Sequence, residues 1–125
     1  MKSTNVMLVM GYLSNDPKPL GKTGKVAVYS LSVPAGEGKW DVIPLKCFGK
    51  EAQRAMFLKS GNLVAVVAHT TKSSYEKADG TKQSTVDHIV DKQFTDLPGF
   101  QKIPYGFKLL AGAIEGLLTT ENDDY

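Results

Sequence analysis

The segment KWDVIPLKCFGKEAQRAMFLK, residues 39–59, changes its hydrophobic period halfway along its length. Lys39 to Phe48 alternates apolar and other side chains, a pattern that predicts a β-strand. Gly49 to Lys59 instead repeats its apolar residues at helical spacing, and Ser60-Gly61 supplies a helix stop. The segment therefore predicts a strand that leads directly into a helix.

Two predicted strands precede this segment and two follow it. They are Asn5 to Leu13, Lys25 to Val33, Asn62 to Thr71 with a continuation towards Tyr75, and Gln83 to Val90. The turn signals between them are a Pro/Gly/Lys-rich loop over Lys18 to Gly24, the turn Pro34 to Gly38, and the hairpin dipeptide Asp79-Gly80. Five strands with one helix between the third and the fourth predict an all-β fold, a Greek-key OB-fold barrel. An SH3-like barrel is the rival, but it gives no reason for a helix at that point.

The predicted organisation is one domain and a C-terminal extension. Residues 1–96 form the OB-fold domain in this prediction, and residues 97–125 form the extension. Leu109 to Leu118 is amphipathic at helical spacing and predicts a short C-terminal helix. This helix either packs on its own barrel or contacts another subunit.

The charge balance is compatible with a polyanionic partner. Lys and Arg number 15 against 13 Asp and Glu, and three of those acids lie in the last five residues, so the rest of the chain is mildly basic. Arg54 is the only arginine. Because base-specific readers of duplex DNA favour Arg, the excess of Lys disfavours sequence-specific reading.

Other protein classes have little support in the sequence. The N-terminus lacks the pattern of a secretory signal, and no run approaches the roughly 20 apolar residues of a membrane span. Cys47 is the single cysteine, so a reducing, cytoplasmic location is expected.

No enzymatic motif is complete. Gly21-Lys22-Thr23 resembles the end of a phosphate-binding loop, but position 16 is Asp where that loop needs Gly. His69 and His88 have no neighbours at metal-ligand spacing, and Cys47 is interpreted as a buried structural thiol. We therefore expect no enzyme, no metal and no cofactor.

The third predicted strand carries the candidate binding surface. Ile43, Leu45 and Cys47 form an apolar row that is expected to face the barrel interior. The opposite row is Trp40, Val42, Pro44, Lys46 and Phe48, with Pro44 indicating a strand edge or a bulge. Unpaired bases stack on aromatic side chains while lysines neutralise the phosphates between them. This second row therefore predicts a surface that binds single-stranded nucleic acid.

Further candidates lie outside the third strand. Tyr75 near the hairpin tip, with Lys72, Lys77 and Lys82 around it, repeats the combination of an aromatic with lysines, and Tyr12, Lys22 and Lys25 are expected to extend the surface. The alternatives are that Trp40 caps the barrel end, and that Phe48 or Tyr12 belongs to the core. Tyr29 and Phe57 are predicted to be core residues.

Three short motifs carry a family resemblance. Gly11-Tyr12-Leu13-Ser14-Asn15-Asp16-Pro17, Phe48-Gly49-Lys50 followed by Ala52, and Phe57-Leu58-Lys59-Ser60-Gly61 resemble the single-stranded DNA-binding proteins of bacteria and their phages. The resemblance covers about residues 5 to 95 and rests on the order and spacing of the motifs. Trp40 is similar to the family's third-strand Trp, with a register difference of two residues that a bulge near Pro44 would absorb.

The resemblance implies an OB-fold that binds single-stranded DNA without sequence preference and without catalysis. It further implies a role in DNA replication, recombination and repair, and a homo-oligomer, either tetramer or dimer. The acidic end resembles the family's tail that recruits partner proteins, and its candidate residues are Glu121, Asp123, Asp124 and Tyr125. The compact form resembles a phage protein. The rival hypotheses are an OB-fold protein–protein adaptor and an RNA-binding, cold-shock-like protein.

Overall fold

Six strands and one helix follow one another in the computed structural model, which describes residues 5–107 and 109. They are β1 (Met7–Leu13), β2 (Lys18–Pro19), β3 (Val26–Gly36), β4 (Lys39–Phe48), α1 (Lys50–Ala55), β5 (Leu63–Glu76) and β6 (Lys82–Phe94). The third long strand, β4, has the predicted bounds, and α1 follows it as predicted.

The five long strands close into a barrel. They are paired in the order β1-β5-β6-β4-β3, and β1 returns to β3 at Tyr12 and Leu13. All long ladders are antiparallel except the contact of β4 with β6, which is parallel at Lys46 and Ile89. With α1 between β4 and β5, this is the predicted OB-fold. The fold prediction is confirmed.

The barrel interior is filled by alternate residues of the strands, since successive side chains of a strand point to opposite faces. Leu45 and Cys47 of β4 are buried and Ile43 is half-buried, as the alternation predicted. The largest fully buried side chains of the described residues are Leu13, Leu31, Leu58, Val64, Val66 and Cys47.

A second apolar cluster lies on the outside of the barrel, where the C-terminal segment crosses β1, β5 and β6. Ile103 and Phe107 pack there against Ala65 and Phe94, whose side chains extend outward from the sheet. The rings of Phe94 and Phe107 are 6.5 Å apart between centroids. The division of the chain after residue 96 stays a prediction.

Two features at the C-terminal end of α1 differ from the prediction. The helix ends at Ala55 rather than near Lys59, and a turn follows in which the backbone N–H of Phe57 donates to the Arg54 carbonyl. Phe57 is therefore 75% exposed and not a core residue, while Leu58 takes the buried position. The turn rotates the chain so that residue 58, not 57, faces the barrel.

The strand ends also differ locally. Lys18 and Pro19, predicted as loop, form β2 on the edge of β3. β3 runs past Pro34 to Gly36, and the two-residue turn Glu37-Gly38 has positive φ at both positions, the geometry that favours tight hairpins.

Pro44 lies in a regular part of the β3–β4 ladder, so the predicted bulge near it is wrong. The register shift of that ladder lies instead between Pro34 and Gly36. Pro44 is tolerated because β4 pairs with β6 only at Lys46, which leaves the outer edge of β4 unpaired beside the proline.

Helical backbone appears again over residues 105–107. The predicted C-terminal helix, apart from Leu109, lies outside the described residues, as does the acidic end. Among the helices that the structure describes, none has the length and apolar character to cross a membrane.

Candidate nucleic-acid interface

The outer face of β3 and β4 carries the predicted row. Trp40 and Phe48 are 55% and 48% exposed, and Lys46 lies between them on the same face of β4. Because residues two apart on a strand share a face and each residue rises about 3.3 Å, the two aromatics are separated by roughly 26 Å along the strand. Since half of its surface is exposed, Phe48 is not a core residue, and the alternative that placed it in the core is wrong.

Tyr12 joins this face through β3. It pairs with Ser32, which in turn pairs with Val42 of β4, so the three side chains form one row across three strands. Tyr12 is 50% exposed and does not belong to the core. An aromatic ring is thus available on a third strand of the same surface.

A second cross-strand row brings two lysines together. Lys18 of β2 pairs with Val28 of β3, and Val28 pairs with Lys46 of β4. With strands about 4.8 Å apart, the backbones of the two lysines are separated by about 10 Å. Lys18 was not predicted from the sequence, because its position depends on a two-residue strand that has no local pattern.

A cleft of about 300 Å³ opens over the row of Lys18, Val28 and Lys46. Its walls are formed by residues 15, 16 and 18 before β3, by the outer faces of β3 and β4, and by Val86, Asp87 and His88 of β6. In OB-folds this face, between the loop after the first strand and the hairpin of the last two long strands, is the one that takes oligonucleotides.

Contacts on the protein hold the Lys46 ammonium in this cleft. Its Nζ lies 6.0 Å from the centre of the Phe48 ring and 3.9 Å from Oδ2 of Asp87. Both contacts come from groups on the outer surface, so the ammonium stays accessible to an anionic ligand.

The hairpin of β5 and β6 extends beyond the barrel as a two-stranded ribbon and carries the other predicted residues. Tyr75 is 49% exposed and pairs with Gln83. Lys72 pairs with Val86 and, three residues from Tyr75 in a regular ladder, lies on the opposite face of the ribbon. The prediction that Lys72 and Tyr75 form one group is therefore wrong. Lys72 shares the ribbon face of Val86 and Tyr75 shares the face of Asp87, and both Val86 and Asp87 line the cleft.

The remaining predicted lysines lie in turns. Lys77 closes the ribbon tip, where its N–H donates to the Thr81 carbonyl at 2.8 Å. Lys22 is exposed in the loop before β3, and the carbonyl of Lys25 accepts from the Gly49 N–H at 2.9 Å, beside Phe48. Glu121, Asp123, Asp124 and Tyr125 lie outside the described residues.

The buried polar groups of the barrel are hydrogen-bonded to one another and to α1. The Tyr29 hydroxyl donates to Gln93 Oε1 at 2.9 Å, and Gln93 Nε2 donates to the Glu51 carboxylate at 2.7 Å, which ties β3 and β6 to α1. Burial raises the pKa of the Cys47 thiol to about 12, so at neutral pH it carries no thiolate nucleophile. Tyr29 and Cys47 are core residues, as predicted.

The two histidines lie on strands, His69 on β5 and His88 on β6. Nδ1 of His69 is 2.8 Å from Asp91 Oδ2, and Nδ1 of His88 is 3.2 Å from the Thr70 hydroxyl. Among the described residues, no group of three or more potential metal ligands occurs.

Among comparisons with known proteins, the one with solved structures found proteins of the same fold. No protein-family model matches the chain, and the search of curated proteins found no significant match. Among solved structures, two crystal structures of Rim1, the mitochondrial single-stranded DNA-binding protein of S. cerevisiae, are similar. They are 19% and 17% identical, with TM-scores of 0.58 and 0.59, and the alignments cover 78% of this chain and 100% of theirs. At this identity the likeness shows a shared fold.

Proposed function

We propose that this chain binds and coats single-stranded DNA without sequence preference, on the outer face of β3 and β4. The observation that carries the proposal is the arrangement on that face. The exposed rings of Trp40 and Phe48 lie at the two ends of one row on β4. Lys46 lies between them in that row, and Val28 of β3 separates Lys46 from Lys18 of β2. The similar solved structures are described as single-stranded DNA-binding proteins, which supports the same ligand for this chain.

In the proposed mechanism, bases stack on the rings and lysines neutralise the phosphates. Each stacked base contributes about 1–3 kcal/mol, and every base has a face that can stack, so the binding is tolerant of sequence. Trp40, Phe48 and Tyr12 supply the rings on the barrel, and Tyr75 supplies one on the ribbon. The lysines are Lys46, Lys18, Lys22, Lys25, Lys72 and Lys77. The protein acts by binding alone and is not an enzyme.

The proposed setting is DNA replication, recombination and repair in the cytoplasm, which is the host cytoplasm if a phage encodes the protein. The acidic residues Glu121, Asp123 and Asp124, with Tyr125, are proposed to recruit partner proteins. Support for these finer roles comes from the family resemblance of the three sequence motifs.

A homo-oligomer, dimer or tetramer, is part of the proposal. β1 pairs with β3 only at Tyr12 and Leu13, so within the described residues the edge from Met7 to Met10 has no second partner strand. Leu8, on this strand, is an exposed apolar residue. Light scattering with and without a 35-residue oligonucleotide measures the assembly. A Leu8→Glu variant is expected to lower the mass, while Leu20→Glu, which changes an exposed leucine in a loop, is expected to leave it unchanged.

An electrophoretic shift with labelled single strands and the matching duplex tests the function. We expect a strong preference for the single strand, with weaker competition by RNA of the same length. A shift with neither nucleic acid contradicts the proposal and favours the protein–protein adaptor. An equal or stronger shift with RNA favours the cold-shock-like alternative.

A further inference from the structure

Asp87 of β6 places a carboxylate beside the central cation of the candidate interface. Its Oδ2 lies 3.9 Å from Lys46 Nζ, and the two side chains are 38% and 30% exposed. An ion pair at this distance and exposure is weak in water, so a phosphate that approaches from solvent can displace the carboxylate.

The lysines and aspartates that line the cleft are equal in number. Its lining includes the lysines Lys18 and Lys46 and the aspartates Asp16 and Asp87. Asp16 is used by the fold, because its Oδ1 accepts a hydrogen bond from the Ser60 N–H at 2.8 Å and so ties the first loop to the turn after α1. The ion pair of Asp87, among the described residues, is with Lys46.

We propose that Asp87 is a built-in counterion that competes with a DNA phosphate for Lys46, and that it thereby lowers the affinity of the interface for single strands. The inference rests on the proposed function. When a phosphate binds Lys46, the Asp87 carboxylate loses its partner and takes up a cation from solution. This uptake offsets one cation that the strand releases, so Asp87 also reduces the salt dependence of binding.

The Asp87→Asn variant tests this role, because it removes the charge and keeps the shape. A unit charge at about 4 Å in water changes an equilibrium constant by about fivefold, so the variant is expected to bind an oligo(dT) about fivefold more tightly at low salt. The slope of log K against log salt is expected to steepen by about 0.7. Fluorescence anisotropy of a labelled strand over a series of salt concentrations measures both.

Two controls separate competition for Lys46 from a general change of charge. Asp91→Asn makes the same charge change four residues along β6, where the carboxylate contacts His69 at 2.8 Å, and we expect an affinity within about twofold of the wild type. Asp87→Asn introduced into a Lys46→Ala background is expected to give little gain, because the cation for which the two anions compete is gone.

The outcomes are distinguishable. A gain with Asp87→Asn that disappears in the Lys46→Ala background supports the inference. An equal gain in both backgrounds, no gain at all, or the same gain from Asp91→Asn overturns it and leaves single-strand binding intact. If the wild-type protein binds no single strand even at low salt, the proposed function fails first.

Discussion

The ammonium nitrogen of Lys46 lies 6.0 Å from the centre of the Phe48 ring, two residues along the outer face of β4. At this distance the face of the ring attracts the cation, and the side chain is oriented without being buried. In the proposed mechanism, a base stacked on Phe48 would bring its phosphate within reach of the same lysine. Stacking and charge neutralisation would then act on one nucleotide, and mutations of the ring and of the lysine test them separately.

Removing the rings tests the stacking. Phe48→Ala and Trp40→Ala are each expected to weaken binding of oligo(dT) by about 1–3 kcal/mol, because each loses one stacked base. The salt slope stays the same, since no charge is lost. Fluorescence anisotropy gives both values.

The matched control for the rings is Phe57→Ala, which removes an even more exposed ring after α1, outside the β3–β4 face. We expect it to leave the affinity unchanged. Losses from Phe48→Ala and Trp40→Ala no larger than that of Phe57→Ala would show that the rings of β4 do not stack with bases.

Removing the lysines tests the charge. Lys18→Ala and Lys46→Ala are each expected to weaken binding to a similar extent for every base composition. Lys18→Ala is expected to lower the salt slope by about 0.7, the value for one single-strand phosphate. Lys46→Ala is expected to do the same in the Asp87→Asn background, because in the wild type the cation that Asp87 takes up offsets the one released at Lys46. Lys59→Ala, an exposed lysine in the turn after α1, serves as control. A slope that Lys18→Ala leaves unchanged, and that Lys46→Ala leaves unchanged in the Asp87→Asn background, contradicts the assignment of these lysines to phosphates.

Closure of the barrel depends on the small size of residue 11. A Cβ on Gly11 would overlap the carbonyl oxygen of Ser32, where β1 passes β3. Gly11→Ala is therefore expected to lower the free energy of unfolding by about 1–3 kcal/mol, as overpacking does elsewhere. Gly106→Ala is the control, because a Cβ there meets no atom within 4 Å. Equal urea midpoints for the two variants would contradict the close approach of β1 and β3.

Alkaline pH is expected to destabilise the fold through Cys47. Burial raises the pKa of this thiol from 9.0 to about 12, so above pH 9 the unfolded chain loses a proton that the folded chain keeps. The contribution of the buried, protonated thiol to the free energy of unfolding is complete below pH 9. It declines as the pH rises towards 12, by at most about 1.4 kcal/mol per pH unit. Urea midpoints at pH 7, 9 and 10.5 should fall less steeply for Cys47→Ala. Parallel declines in the two proteins would show that the thiol does not contribute.

Sequence reasoning predicted those parts of the fold whose patterns are local. The alternation in β4 gave the bounds of that strand and separated Leu45 and Cys47 from Trp40 and Phe48, because one sheet face is buried and the other is not. The predicted end of α1 was wrong. The helical period of residues 49–59 continues past Ala55, where the helix ends, and the turn that follows is determined by packing against the barrel.

The parts of the interface that were missed depend on contacts between distant segments. Lys18 lies near Lys46 because β2 pairs with β3. Asp87 contacts Lys46 because β6 lies beside β4 at that point. Lys72 and Tyr75 are three positions apart in the regular ladder of β5 and β6, so their side chains lie on opposite faces. The prediction grouped these two residues because they are close in the sequence and combine an aromatic with a lysine, but the strand geometry places them on different faces.

Fluorescence of Trp40 during titration with single-stranded DNA tests the central claim most directly, because Trp40 is the only tryptophan of the chain and lies exposed on the proposed face. We predict a saturable quenching by poly(dT) that salt reverses, with the same midpoint as the electrophoretic shift. Emission that stays unchanged while the shift reaches saturation would contradict the assignment of this face to the DNA.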